Sequence, residues 1–323
     1  MITNAVFLLT VIYFLIPVSS CGVVGKTTWC PGIYCGRTQD KEGNVSDCGA
    51  CVRGSRPDEH SMCQACSSSP NLYDSLYLGF MAMSSPTLHW FFIDFTNKRK
   101  SGNLLILHAS ALVESAVAAI CTLLVVTPVG SLSVTSCEVN ALSDWYTMFY
   151  NPSPDYVHTI HCTQEAVYPL YTMVLIYYAF GLVAMMLFRP VLVTKFVPRR
   201  GTKSIYASLY MFPILAVVHA TCAGLIYYAF PYIVLVISLV TNALHFALFS
   251  NQSALYLLRE NFLNARNLTI IVCHWALHAY GIIAITQLQI PSFHTPMLCL
   301  VPLPTLFYLL TVPFTDPDNL DKA

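Results

Sequence analysis

The sequence predicts an all-α, polytopic membrane protein with about seven transmembrane helices and a small disulfide-rich module at its N-terminus. Three observations support this fold class. Of the 323 residues, 56% are hydrophobic and only 10% are charged, whereas soluble domains carry about 25% charged residues. Apolar runs of spanning length recur after Pro70, and seven of the 13 cysteines fall between Cys21 and Cys66. The net charge of zero does not favour nucleic acid as a partner.

Residues 1–20 predict a signal peptide or, alternatively, a signal anchor. They contain no charged side chain, and 5–18 (AVFLLTVIYFLIPV) form one apolar run. That run is shorter than the roughly 20 residues of a comfortable membrane span. The segment is therefore predicted to target the chain to the membrane, and it is not part of a soluble fold.

Residues 21–71 form a cysteine-rich module that we place in the lumen. Its spacing is Cys30-x4-Cys35, Cys48-x2-Cys51 and Cys63-x2-Cys66, and Cys21 is left over. Paired CxxC motifs fit a zinc site in the cytosol, but behind a signal sequence they fit a disulfide framework, which is the interpretation we favour. Six cysteines permit fifteen pairings, and the sequence does not choose among them.

Two more cysteines and one sequon belong to the same side of the membrane. Cys137 and Cys162 lie in the loop between the second and third spans, where a bridge between them would close about 25 residues and contribute roughly 3 kcal/mol. Asn44-Val45-Ser46 predicts a glycosylated Asn44. The sequons at Asn251 and Asn267 fall on the cytosolic side, where they would stay unmodified.

The seven predicted spans follow one another between the module and a short tail at 316–323. The fourth and fifth are nearly fused, and their separation rests on Phe230-Pro231, because proline disfavours a continuous helix. If that separation fails, the count becomes six. The predicted spans are 72–93, 104–127, 166–188, 205–225, 227–249, 268–288 and 297–314.

Basic residues give the orientation. With the cysteine-rich module in the lumen, eleven basic residues fall in cytosolic segments and none in the opposite loops at 128–165, 230 and 289–296. This asymmetry predicts a cytosolic C-terminus and an odd number of spans. The eleven are Lys98, Arg99, Lys100, Arg189, Lys195, Arg199, Arg200, Lys203, Arg259, Arg266 and Lys322.

Ionisable residues inside the spans are candidates for function. Glu114 lies near the middle of the second span, and we expect it to be protonated and hydrogen-bonded to a neighbouring helix. His274 and His278 are four residues apart and share one face of the sixth span. Together with Glu114 they could form an intramembrane zinc hydrolase or a transporter site, which is the alternative interpretation. No HExxH, Walker, GxSxG or kinase signature occurs in the sequence.

Several long strings resemble the Jun N-terminal kinase-associated membrane protein family, from about Cys30 to Phe314. The resemblance implies a multi-pass protein of the endoplasmic reticulum, with the plasma membrane as an alternative location. It further implies association with Jun N-terminal kinase and recruitment of ubiquitin ligase and proteasome subunits to degrade misfolded proteins. The strings are DSLYLGFMAM and LHWFFID (74–94), LSDWYTMFYNPSPDYV (142–157), HCTQEAVYPLYT (161–172), LIYYAFPYI (225–233) and HWALHAYGII (274–283).

We therefore expect a non-enzymatic membrane scaffold whose partner is the bilayer itself and whose cytosolic loops engage signalling proteins. The resemblance implies no catalytic residue and no cofactor, and the scaffold interpretation predicts no metal ligand. The cytosolic segment with Arg199, Arg200 and Lys203 loosely fits a kinase-docking motif. The same basic residues suffice as a topology anchor, and we favour the anchor.

Overall fold

The computed structural model describes residues 29–96, 104–150, 162–196, 202–249 and 253–315. A small β-module precedes long helices, which confirms the predicted all-α membrane fold with a disulfide-rich N-terminal region. Short 3₁₀ turns occupy Leu142–Trp145, Thr147–Tyr150 and Leu298–Leu300. The helices are α1 (Leu72–Thr96), α2 (Leu104–Val125), α3 (Leu170–Phe196), α4 (Thr202–Ala247), α5 (Ala254–Leu263), α6 (Ala265–Thr286), α7 (Pro291–Met297) and α8 (Leu303–Thr315).

Five of the described helical segments are long and apolar enough to cross a membrane. They are α2, α3, α4, α6 and the stretch Pro291–Thr311, which begins with α7 and runs into α8. This assignment rests on length and composition. Helix α1 is not among the five, although it is 25 residues long; it carries the acidic residue Asp74 in its first turn.

The expected break between the fourth and fifth spans is wrong. Helix α4 runs without interruption for 46 residues, and Pro213 and Pro231 both lie inside it. Proline is tolerated within membrane helices because neighbouring groups satisfy the hydrogen bonds that it frees. At 1.5 Å per residue the helix is about 69 Å long, against about 30 Å for the hydrocarbon core. A helix that does not reverse direction supplies one crossing, so the predicted count of seven spans becomes six.

Other boundaries also differ from the prediction. Helix α3 continues to Phe196, past the expected end at 188, and so takes in Arg189 and Lys195. The expected last span is divided by a 3₁₀ turn at Leu298–Leu300. The expected cytosolic loop at 250–267 contains helix α5. Apolar composition predicts where a span lies, but it gives no information about helical turns that continue beyond the apolar residues.

The β-module, which we call the head (residues 29–66), contains two hairpin-like pairs. Strand β1 (Cys35–Gly36) pairs with β2 (Gly49–Ala50), and β3 (Ser55–Pro57) pairs with β4 (Cys63–Ala65), both antiparallel. Strands this short bury little apolar surface, so covalent bonds must constrain the module. Disulfides Cys30–Cys48 and Cys51–Cys63 do so within the head.

The main hydrophobic core lies where α1, α3 and α4 meet near the head. Tyr77, Tyr227 and Phe230 are buried there, and the rings of Tyr77 and Tyr227 are 5.1 Å apart with an edge-on geometry. Trp145, from the first 3₁₀ turn, packs on Tyr227 with ring centroids 5.0 Å apart. Gly224 permits this approach, since a Cβ at that position would lie 2.8 Å from the Cβ of Trp145.

Candidate functional site

Arg189 of α3 and Glu114 of α2 form a buried ion pair. The Nη2 of Arg189 bonds to Oε2 of Glu114, and its Nε donates to Oε1 at 3.2 Å. Their exposed fractions are 0% and 1%. A guanidinium that meets both carboxylate oxygens makes the strongest type of charge-assisted contact. The charges are therefore compensated where water cannot reach them.

The pair extends to two further helices. The Nη1 of Arg189 donates to Oγ of Ser208 in α4 at 2.9 Å, and it lies 3.2 Å from Nδ1 of His89 in α1. Ser110, one turn before Glu114, donates to the Oε1 of that carboxylate. We call these five residues the buried ionic cluster. It joins α1, α2, α3 and α4 through side chains that have no alternative partner in lipid.

One expectation about this region needs correction. Glu114 bonds to a neighbouring helix, and its partner there is the guanidinium of Arg189, a residue that the sequence did not link to it. Arg189 was assigned to a cytosolic segment, and it lies instead within the helical bundle with no exposed surface. The sequence signalled only half of this pair: a buried carboxylate requires a partner, but a basic residue directly after an apolar stretch usually marks the end of a span.

The histidines of the sixth span lie in a different part of the molecule. His274 Nδ1 is 3.2 Å from Oγ1 of Thr241, and His278 Nδ1 is 3.4 Å from Oγ of Ser238, so both face α4. Glu114 bonds to Arg189 in the buried ionic cluster. Across the described ranges, no group of three or more His, Cys, Asp or Glu side chains is arranged to hold a metal ion. The side chains that a zinc hydrolase would need are not brought together.

All eight candidate cysteines form disulfides, and two of these bonds tie the head to the membrane domain. Cys35 bonds to Cys162, and Cys66 bonds to Cys137. The expected Cys137–Cys162 bridge is therefore wrong. The zinc alternative for the CxxC motifs is wrong as well, since each of their sulfurs is bonded to another sulfur.

Asp144 forms a polar contact point between the head and the helices. Its Oδ1 accepts hydrogen bonds at 2.8 Å from Tyr34 and from Arg56, both in the head. Its Oδ2 accepts from the backbone N–H groups of Asn140 and Ala141 at 2.8 and 3.1 Å. Burial raises the pKa of the Tyr34 hydroxyl further above neutral pH, where the group is already protonated and can donate. Sequence analysis missed this contact, because nothing local links position 144 to the head.

Two of the remaining candidates, Asn44 and Lys203, are exposed. Asn44 is exposed, and both its backbone N–H and its side-chain amide donate to Asp40, at 2.8 and 3.3 Å. Lys203 is exposed in the first turn of α4. Arg199, Arg200 and Asn251 lie outside the described residues. Asn267 donates to the backbone oxygen of Glu260 at 3.2 Å and is partly buried.

Comparisons with known proteins agree on one family. The family model described as JNK1/MAPK8-associated membrane protein matches residues 30–317. Proteins of that name from Homo sapiens and Mus musculus are each 52% identical to the chain over 299 residues, which is 90% of this chain and 95% of the relative. A homologue from Caenorhabditis elegans is 30% identical over 278 residues, or 85% of both chains. No solved structure matches.

Proposed function

Since the chain belongs to the JNK1/MAPK8-associated membrane protein family, we propose that it is a non-enzymatic scaffold of the endoplasmic-reticulum membrane that binds Jun N-terminal kinase. The observation that carries this proposal is the 52% identity to relatives named for that association, over 90% of the chain. The buried ionic cluster supports the non-enzymatic part. Its charged groups are compensated and closed off, so none is presented to a substrate.

The orientation that we propose puts the head in the lumen and the C-terminus in the cytosol. Four disulfides in and around the head favour an oxidising compartment. Lys195 near the end of α3 and Lys203 at the start of α4 lie on either side of the connection between these helices, as expected for a cytosolic loop. Because the uninterrupted α4 supplies a single crossing, the orientation rests on these disulfides and lysines and not on the number of spans.

The cytosolic partners that we propose are the kinase, a ubiquitin ligase and proteasome subunits. The connections 97–103, 197–201 and 250–252 between described helices are short. Segments of this length cannot form an independent catalytic domain. Any degradation or signalling reaction must therefore be carried out by recruited proteins, which is the behaviour of a scaffold.

A pull-down experiment tests this proposal. We expect tagged full-length protein, solubilised in a mild detergent, to retain the kinase and proteasome subunits, while an equally expressed unrelated multi-pass protein does not. Because the buried ionic cluster has a structural role here, the double variant Glu114→Leu/Arg189→Met should retain both partners. Recovery of neither partner by the unsubstituted protein would contradict the scaffold, as would their selective loss from the correctly folded double variant.

The orientation makes a separate prediction about glycosylation. We expect endoglycosidase to increase the electrophoretic mobility of the protein, and Asn44→Gln to abolish that change. Asn267→Gln should have no effect, because that sequon is placed in the cytosol. A tag after Ala323 should be cleaved by protease added outside sealed microsomes. Protection of that tag, or a glycan that persists in the Asn44→Gln variant, would refute the orientation.

A further inference from the structure

We propose that a cavity between the start of α3 and the middle of α4 binds the phosphocholine headgroup of a membrane lipid. The cavity has a volume of about 460 Å³ and is open on one side. Its walls come from the two 3₁₀ turns at 142–150, from the segment before α3, from Tyr171 in the first turn of α3, and from Ala220 and Thr221 near the middle of α4. It lies outside the buried ionic cluster and is not required by the scaffold function.

The charge of the cavity favours a cation. Two carboxylates line it, from Asp144 and Glu165, and no basic residue of the described chain is among its lining residues. Asp144 is already paired with Arg56. Glu165 accepts hydrogen bonds from Thr172, through the backbone N–H at 2.8 Å and the hydroxyl group, and from the backbone N–H of Tyr171. Within the described part of the chain it forms no salt bridge with a basic side chain. Its negative charge is thus the one that a ligand could neutralise.

Burial raises the pKa of the Glu165 carboxyl, and Arg53 lowers it to a lesser extent. Burial therefore makes the ionised carboxylate less stable, and a cation in the cavity would stabilise it. A geometric reason also places a cation there, because the carboxylate is fixed by Thr172 at the rim of the cavity.

The other walls favour a methylated cation over a hydrated metal ion. Trp145, Tyr146, Phe149 and Tyr171 supply aromatic surface, and the rings of Tyr146 and Phe149 lie 6.3 Å apart. Aromatic surfaces combined with a carboxylate are the usual recognition elements for quaternary ammonium groups. Phe149 is 74% exposed, so the aromatic wall is reachable from outside.

Unpaired donors extend this argument from the ammonium group to the phosphate. The indole N–H of Trp145, a residue only 7% exposed, and the hydroxyl of Tyr146 have no hydrogen-bond partner within the described ranges. Unsatisfied buried donors are costly, and an unrecorded ligand is a common explanation for them. The phosphate of a choline lipid supplies acceptors beside the cation, and its acyl chains can remain in the adjacent bilayer.

Two measurements on the full-length protein in dodecyl maltoside test the proposal. Calorimetry with soluble phosphocholine should show binding that Glu165→Gln weakens at least tenfold. The matched control Glu138→Gln makes the same change on the same side of the membrane outside the cavity, and it should bind as the unsubstituted protein does. Mass spectrometry of protein taken from vesicles of equal phosphatidylcholine and phosphatidylglycerol should show retained phosphatidylcholine, and less of it with Glu165→Gln.

A second variant keeps the test decisive if Glu165→Gln fails to fold. Phe149→Ala changes an exposed wall residue, so it should fold and weaken phosphocholine binding severalfold. Binding that neither substitution changes would overturn the proposal, as would the absence of binding by the unsubstituted protein. Tetramethylammonium or phosphocholine binding without retained phosphatidylcholine would identify a soluble cation as the occupant and overturn the lipid assignment.

Discussion

Replacing Arg189 by methionine is expected to destabilise the protein by about 3–5 kcal/mol, the cost typical of removing one partner from a buried ion pair. The substitution leaves the Glu114 carboxylate with Ser110 as its remaining hydrogen-bond donor among the described residues. It also removes the donor to Ser208. Four helices would lose a shared contact. Thermal and denaturant unfolding in detergent, followed by tryptophan fluorescence, would measure the loss.

The double variant Glu114→Leu/Arg189→Met separates charge compensation from packing. Replacing both charges by apolar side chains of similar volume is often neutral or stabilising. We therefore expect the double variant to be within about 1–2 kcal/mol of the unsubstituted protein. Lys203→Met, which removes an exposed charge, should shift the stability by less than about 0.5 kcal/mol. If the single and double variants were equally unstable, the ion pair would not be the cause.

The residues of the buried ionic cluster differ in how well the sequence predicts that they are buried and paired. Glu114 was predictable, because a carboxylate inside an apolar run has few explanations other than pairing or function. Arg189 was not, because it follows directly after an apolar stretch, where a basic residue usually marks the cytosolic end of a span. Only the continuation of α3 to Phe196 turns the same residue into a buried partner.

The long helix α4 shows a second limit of sequence reasoning. Composition correctly predicted apolar helix over 205–247, but proline was taken to divide it. The residue before Pro231 is Phe230, which is fully buried against the rings of Tyr73 and Tyr77. Packing of this kind offsets the hydrogen bond that proline removes. Tertiary contacts that override a local preference are invisible in the sequence.

Disulfide pairing was the least predictable part. Which cysteines are oxidised follows from their density and spacing, but eight cysteines permit over a hundred pairings. Each CxxC motif places its two members next to different partners in space, so Cys48 bonds to Cys30 and Cys51 bonds to Cys63. The bonds to Cys137 and Cys162 depend on how the head docks on the helices. That docking is set by contacts such as those of Asp144, which are distant in sequence.

The pairing predicts that the head stays covalently attached after the chain is cut beside it. We expect a protein with a protease site inserted between Ser69 and Pro70 to run as one band after cleavage on a non-reducing gel, and to release the head when reduced. Bonds confined within the head would release it without reductant. The paired substitution Cys35→Ser/Cys66→Ser should also release it, because those are the two cysteines that bond to the membrane domain.

The same bonds should differ in their contribution to stability. Cys35–Cys162 spans 127 residues and Cys51–Cys63 spans 12. By loop-closure entropy the first contributes about 5 kcal/mol and the second about 3 kcal/mol. Replacing both members of each pair by serine, and measuring unfolding under non-reducing conditions, should therefore give the larger loss for Cys35→Ser/Cys162→Ser. The reverse order would mean that the head is held on the helices chiefly by its non-covalent contacts, with Arg56 and Asp144 at their centre.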